Sequence, residues 1–173
     1  MASGSEQIGR SWTETQALAT RAAEGAGVPA AQALAFGAML VRHLADGGAE
    51  AALRAALEAP ERIVTLAQQA EEVIEAASTS SRPSKTLESD ADQRALLASW
   101  LGALPCAAAV DVQGDAVLSA LDLTLPSKRK RSERLVFSED LYEGLKTLAA
   151  RTYVPDSEAS RVKGAGASQM EID

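Results

Sequence analysis

Histidine and cysteine are almost missing from this chain, with one of each among 173 residues, His43 and Cys106. A lone cysteine cannot close an internal disulfide, so a reducing, cytoplasmic setting is the default expectation. One imidazole and one thiol would leave a zinc site dependent on carboxylates, so neither a metal nor any other cofactor is expected. Aromatic residues are scarce too, at 3%. The core must be built from Ala, Leu and Val, and little ring surface is left for stacking bases or sugars. Basic residues are outnumbered, 17 Lys and Arg against 24 Asp and Glu, for a net charge of −7. That balance opposes non-specific nucleic-acid binding, so no nucleic-acid partner is expected. The longest apolar run, residues 30–41 broken only by Gln32, falls short of the about 20 residues a membrane helix needs. It predicts a buried core helix and no membrane partner. No basic region followed by an apolar run opens the chain, so no secretion signal is expected.

What is present in quantity is Ala and Leu at helical spacing. Ser11 and Glu14 form a capping-box pattern that predicts a helix to about Glu24, closed by Gly25 and Gly27. Pro29 opens a second helix reaching about Ala45, apolar nearly all round and therefore central. Residues 49–59 predict a third helix. Pro60 breaks it and starts a fourth, with Ile63, Leu66, Ala67, Ala70, Val73 and Ile74 on one stripe. Residues 78–90, rich in Ser, Thr, Lys and Pro, hold no apolar period and read as a mobile loop. A short helix follows over 94–104.

The period then changes. Residues 107–112 and 116–125 flank Gln113, Gly114 and Asp115, a hairpin signal. Val117, Leu121, Leu123 and Leu125 alternate with Leu118, Ala120, Asp122 and Thr124, which predicts a half-buried strand. Residues 134–137 read as a third strand of that sheet, and Ser138 as the cap of a closing helix to about Arg151. The expected fold is α+β: an N-terminal helical bundle, a small antiparallel sheet and a closing helix. It is read as one domain over 1–173, with a helical part at 11–77, the loop at 78–90, helix, hairpin and closing helix at 91–155, and a tail at 156–173.

Residues 13–27, followed by a helix, together with residues 151–161 and the Gly-Ala-Gly behind them, resemble the two ends of an uncharacterised bacterial protein family. The resemblance covers about the first third and the last fifth of the chain. It implies a bacterial cytoplasmic protein and carries no catalytic residues across.

Most other candidate sites have plainer readings. Gly25 and Gly27 before a helix suggest a phosphate-binding turn, but that motif needs a preceding strand and a helix stands there. His43 and Cys106 could pair as base and nucleophile, yet Cys106 sits in an apolar Leu-Pro-Cys-Ala-Ala-Ala context that keeps a thiol inert. Glu71, Glu72 and Glu75 read as a solvated helical face. Lys128, Arg129, Lys130 and Arg131 read as a charged loop shielding a sheet edge rather than a phosphate patch or import signal. The end of the chain is chemically richest: Tyr153, Ser157, Ser160, Arg161 and Gly164 fall within twelve residues. Arg161 could fork onto a small anionic ligand there, with Ser157 and Ser160 adding hydroxyls and Gly164 permitting close approach. The leading expectation is a non-catalytic accessory protein that forms a homo-oligomer. The alternative is a binder of, or enzyme for, an anionic metabolite using the 153–161 segment.

Overall fold

The computed structural model describes residues 6–80 and 82–152. The chain opens with a strand, β1 (Gln7–Ser11), which runs directly into helix α1 (Trp12–Ala26). Ser11 serves both elements: it pairs with Arg134 as the last residue of β1, and its hydroxyl accepts the Glu14 N–H as the α1 cap. Gly27, at φ 101°, closes α1, its N–H donating to the Ala23 and Glu24 carbonyls. Helix α2 (Ala30–Ala45) follows, then α3 (Glu50–Glu58) and α4 (Pro60–Thr79), separated at Ala59 with Pro60 at the first helical position.

Helix α2 is the centre of the molecule. Ala33, Phe36, Gly37, Met39, Leu40 and Val41 are all buried, as the apolar run predicts. It packs against α1, α4 and the later helix α5 (Ala91–Gly102). Two glycines set how closely the helices approach. A methyl on Gly37 would stand 2.8 Å from the Gln16 carbonyl oxygen on α1. A methyl on Gly25 would stand 2.7 Å from the Leu148 carbonyl carbon, on the far side of α1. With so few rings available, backbone proximity is how this core reaches protein density.

Residues 78–90 are not a continuous loop. Helix α4 continues to Thr79, and Ser84–Leu87 forms β2, antiparallel to β4 (Ala116–Pro126). The Glu88 N–H then donates to the Asp115 carbonyl at 2.8 Å, and Asp90 caps α5 while pairing with Arg62 at 2.7 Å. The period was invisible because the strand is reversed in polarity: Ser84 and Thr86 are half-buried while Lys85 and Leu87 face water.

The hairpin forms as expected. β3 (Cys106–Gln113) pairs with β4 across a two-residue turn, with Gly114 at φ 57° where a type II′ turn calls for glycine. β5 (Arg134–Ser138) does not join it. It pairs with β1, so the strands form two sheets, β2-β4-β3 and β1-β5. The expectation of one sheet failed because β1 has a single large apolar residue, Ile8, and gives no alternation to read. Helix α6 (Glu139–Ala149) follows, capped by Ser138. The Ser138 hydroxyl and N–H both donate to Glu50, tying the start of α6 to the start of α3. The fold is α+β, and the buried apolar residues of helices and strands form one cluster.

Candidate functional site

The residues singled out at the chain's end, Tyr153, Ser157, Ser160, Arg161 and Gly164, lie outside the described residues. Other candidates take structural places. Gly27 caps α1 and Gly25 is pressed against α6, so the glycine pair makes an interhelical turn and a helix crossing. Glu71, Glu72 and Glu75 are exposed along α4, and among the described residues no group of three or more His, Cys, Asp or Glu could hold a metal.

His43 is buried, and both ring nitrogens have partners within the fold. Nε2 lies 3.1 Å from the Ala49 carbonyl and Nδ1 lies 2.9 Å from the Ser99 hydroxyl. A carbonyl only accepts, so a neutral ring carries its proton on Nε2, and its Nδ1 shares the single Ser99 hydroxyl hydrogen with the Ala95 carbonyl, 3.0 Å from that hydroxyl. Burial pushes the His43 pKa below its ordinary 6.5, against the Ala49 carbonyl and the charges of Asp46 and Asp92. The ring therefore pins α2 to α5 and to the start of α3. Cys106 is half-buried at the head of β3.

The basic run is where charge converges. After β4 the Ser127 N–H donates to the Pro105 carbonyl at 2.8 Å, which turns the chain back over the C-terminal end of α5. Arg42, at 9% exposure, holds the loop down. Its Nε and Nη2 grip the Asp46 carboxylate at 3.0 and 2.6 Å, and its Nη1 donates to the Lys130 carbonyl at 3.2 Å. The guanidinium carbon lies 5.5 Å from the centre of the Trp12 ring. Arg129 reaches Asp46 at 3.4 Å and lies against Gly102, where a methyl would meet its Nη1 at 2.8 Å. The result is a cleft of about 290 Å³ whose wall includes Trp12, Gln16, Arg42, Ser127, Arg129 and Arg131. Arg131 has no hydrogen-bond or ion-pair partner among the described residues.

The loop was expected to shield a sheet edge; it packs instead on α2 and α5. Its partners could not be found by spacing, since Arg42 and Lys130 are 88 residues apart. The local pair Arg42–Asp46, four apart on α2, was the one readable trace.

A second, apolar cleft of about 900 Å³ lies between the end of α4 and the β3–β4 hairpin. Ala77, Ala107, Ala108, Leu121, Leu123 and Thr124 contribute to its wall. The β4 face expected to be buried is buried at Val117 and Ser119, half-buried at Leu121, and uncovered at Leu123 and Leu125. β2 pairs only with residues 116–119, so among the described residues β4 has a single strand neighbour beyond that point. No described helix is long and apolar enough to cross a membrane.

No protein-family model, curated protein or solved structure matches this chain.

Proposed function

We propose that the protein is a non-catalytic cytoplasmic interaction protein that self-associates through the uncovered half of its β3–β4 hairpin. The observation that carries this reading is the pair Leu123 and Leu125, 43% and 52% exposed at the far end of β4, where the β3–β4 register shifts between Asp122 and Pro126. Leu123 lines a cleft to which Ala77, Ala107, Ala108, Ala109 and Ala120 also contribute, and Leu125 follows two residues on. Removing such surface from water stabilises by roughly 25 cal/mol per Å². Beside it, the outer edge of β3 has no strand partner among the described residues. An antiparallel edge can pair with its own copy about a two-fold axis, and Cys-Ala-Ala-Ala at 106–109 offers small side chains that permit close approach. Helix α2 does not supply the surface, because apart from exposed Leu34 its large apolar side chains are spent on the protein's own core.

Sedimentation equilibrium tests the reading. The wild type should be a dimer or higher assembly, and the double variant Leu123→Asp, Leu125→Asp a folded monomer. Both side chains are exposed, so the substitutions leave the monomer core intact. A wild type that stays monomeric at the highest soluble concentration overturns the proposal, as does a double variant that assembles like the wild type.

A further inference from the structure

The arginine-lined cleft is built more elaborately than a loop anchor requires. Arg42 fastens the loop through the Lys130 carbonyl, and the Ser127 N–H on the Pro105 carbonyl fixes its start. Arg129 adds a second, longer contact to the Asp46 carboxylate that Arg42 grips, and Arg131 adds none among the described residues. Three guanidiniums therefore line one small space, and among the described residues no carboxylate is in its wall. Asp46 behind it offsets one charge, which leaves an excess of two positive charges. This occurs in a chain whose net charge is −7, so the cluster is not spillover from a generally basic surface. The Trp12 indole on one side reduces solvent, and low local polarizability strengthens any charge interaction made there.

We propose that this cleft binds the phosphate group of a small phosphomonoester. Such a group carries about −1.5 to −2 charges near neutral pH, which balances the local excess. Guanidinium forks match phosphate oxygens in pairs, and Ser127 and Gln16 supply neutral polar groups in the same wall. A neighbouring cleft of about 390 Å³ shares Gln16 and Arg131 and adds Thr13, Ala17, Thr20, Arg21 and Leu34, with Arg21 a further cation in its wall. Leu34 is 60% exposed there. The phosphate sits among the arginines, Arg131 spans the junction, and the organic body of the ligand lies over Ala17 and Leu34. Nucleic acid does not fit this reading, because the acidic chain as a whole repels a long polyanion.

The inference stands independently of self-association through the hairpin. Calorimetric titration of the full chain with inorganic phosphate and with phenyl phosphate tests it. Both should bind saturably, phenyl phosphate more tightly. Arg131→Ala should weaken both by at least about tenfold, the loss expected for a charge-assisted hydrogen bond. Arg131→Lys should fall between, since it keeps the charge and loses the fork. Lys128→Ala, on an exposed residue outside both clefts, should leave affinity unchanged. Leu34→Ala should weaken phenyl phosphate alone. Arg131 is exposed and has no partner among the described residues, so circular dichroism of its variants should match the wild type. The proposal is overturned by no saturable heat at millimolar ligand, or by equal affinity in wild type and Arg131→Ala. It is overturned equally if Lys128→Ala costs as much as Arg131→Ala, which would mean diffuse charge attraction. Equal loss of both probes in Leu34→Ala, or none in either, removes the second cleft from the site.

Discussion

Alanine is ordinarily the better helix residue, so Gly25→Ala in α1 sets two effects against each other. Replacing glycine in a helix interior gains about 1 kcal/mol at most, and less in a last turn such as this one. Against that, the new methyl would stand 2.7 Å from the Leu148 carbonyl carbon and closer still to its oxygen. These are backbone atoms of α6, which cannot rotate aside as a side chain can. Helix α6 is anchored at its start by Ser138 and Glu50, so it must be pushed off α1 as a body. Overpacking of this kind costs about 1–3 kcal/mol, and occasionally more. The clash should win, with a net loss of about 1–2 kcal/mol after the propensity gain. Gly144 in α6 is the matched control: a methyl there meets nothing within 4 Å. Gly144→Ala should stabilise by about 0.5–1 kcal/mol, propensity acting alone. Urea unfolding of the two variants beside the wild type reads both signs. If Gly25→Ala is as stable as the wild type or more so, the close α1–α6 crossing is refuted.

His43 makes stability depend on pH. Its folded pKa lies below the ordinary 6.5 because burial disfavours the charged ring. The unfolded chain therefore binds a proton that the folded chain refuses, so this contribution is fully present above 6.5 and is lost as pH falls through 6.5 toward the folded value. Unfolding free energies on either side of pH 6.5 should show the loss in the wild type and a flatter profile in His43→Gln; identical slopes would rule His43 out as its source. Gly48→Ala would put a methyl 2.5 Å from Cδ2 of the same ring, displacing it from Ser99 and Ala49 at a cost of about 1–3 kcal/mol. In a His43→Ala background that cost should vanish, and a penalty that persists there would place the strain elsewhere.

The α+β class, the helices and the hairpin were legible in the sequence because their signals are local. Ser11 with Glu14, Pro60, the apolar stripe of α4 and the Gly114 turn each act within a few residues, and each stands where its chemistry predicts. The burial of α2 was equally plain, since a helix apolar on all sides has nowhere else to go. Tertiary structure alone decided the partnerships. β5 pairs with β1, with Arg134 donating to the Gly9 carbonyl 125 positions away, and nothing in either five-residue strand specifies the other. Polar 84–87 became a strand because β4 offered an open edge, whereas by composition alone it was a loop. The basic run closed a cleft rather than a sheet edge because Pro105, at the end of α5, turned it back onto Arg42. Leu123 and Leu125 stayed in water although their alternation marks them for burial, because none of the described segments covers them. Periodicity shows which side of an element is apolar, but whether that side is covered depends on where other segments arrive, through contacts that carry no local signature in the chain.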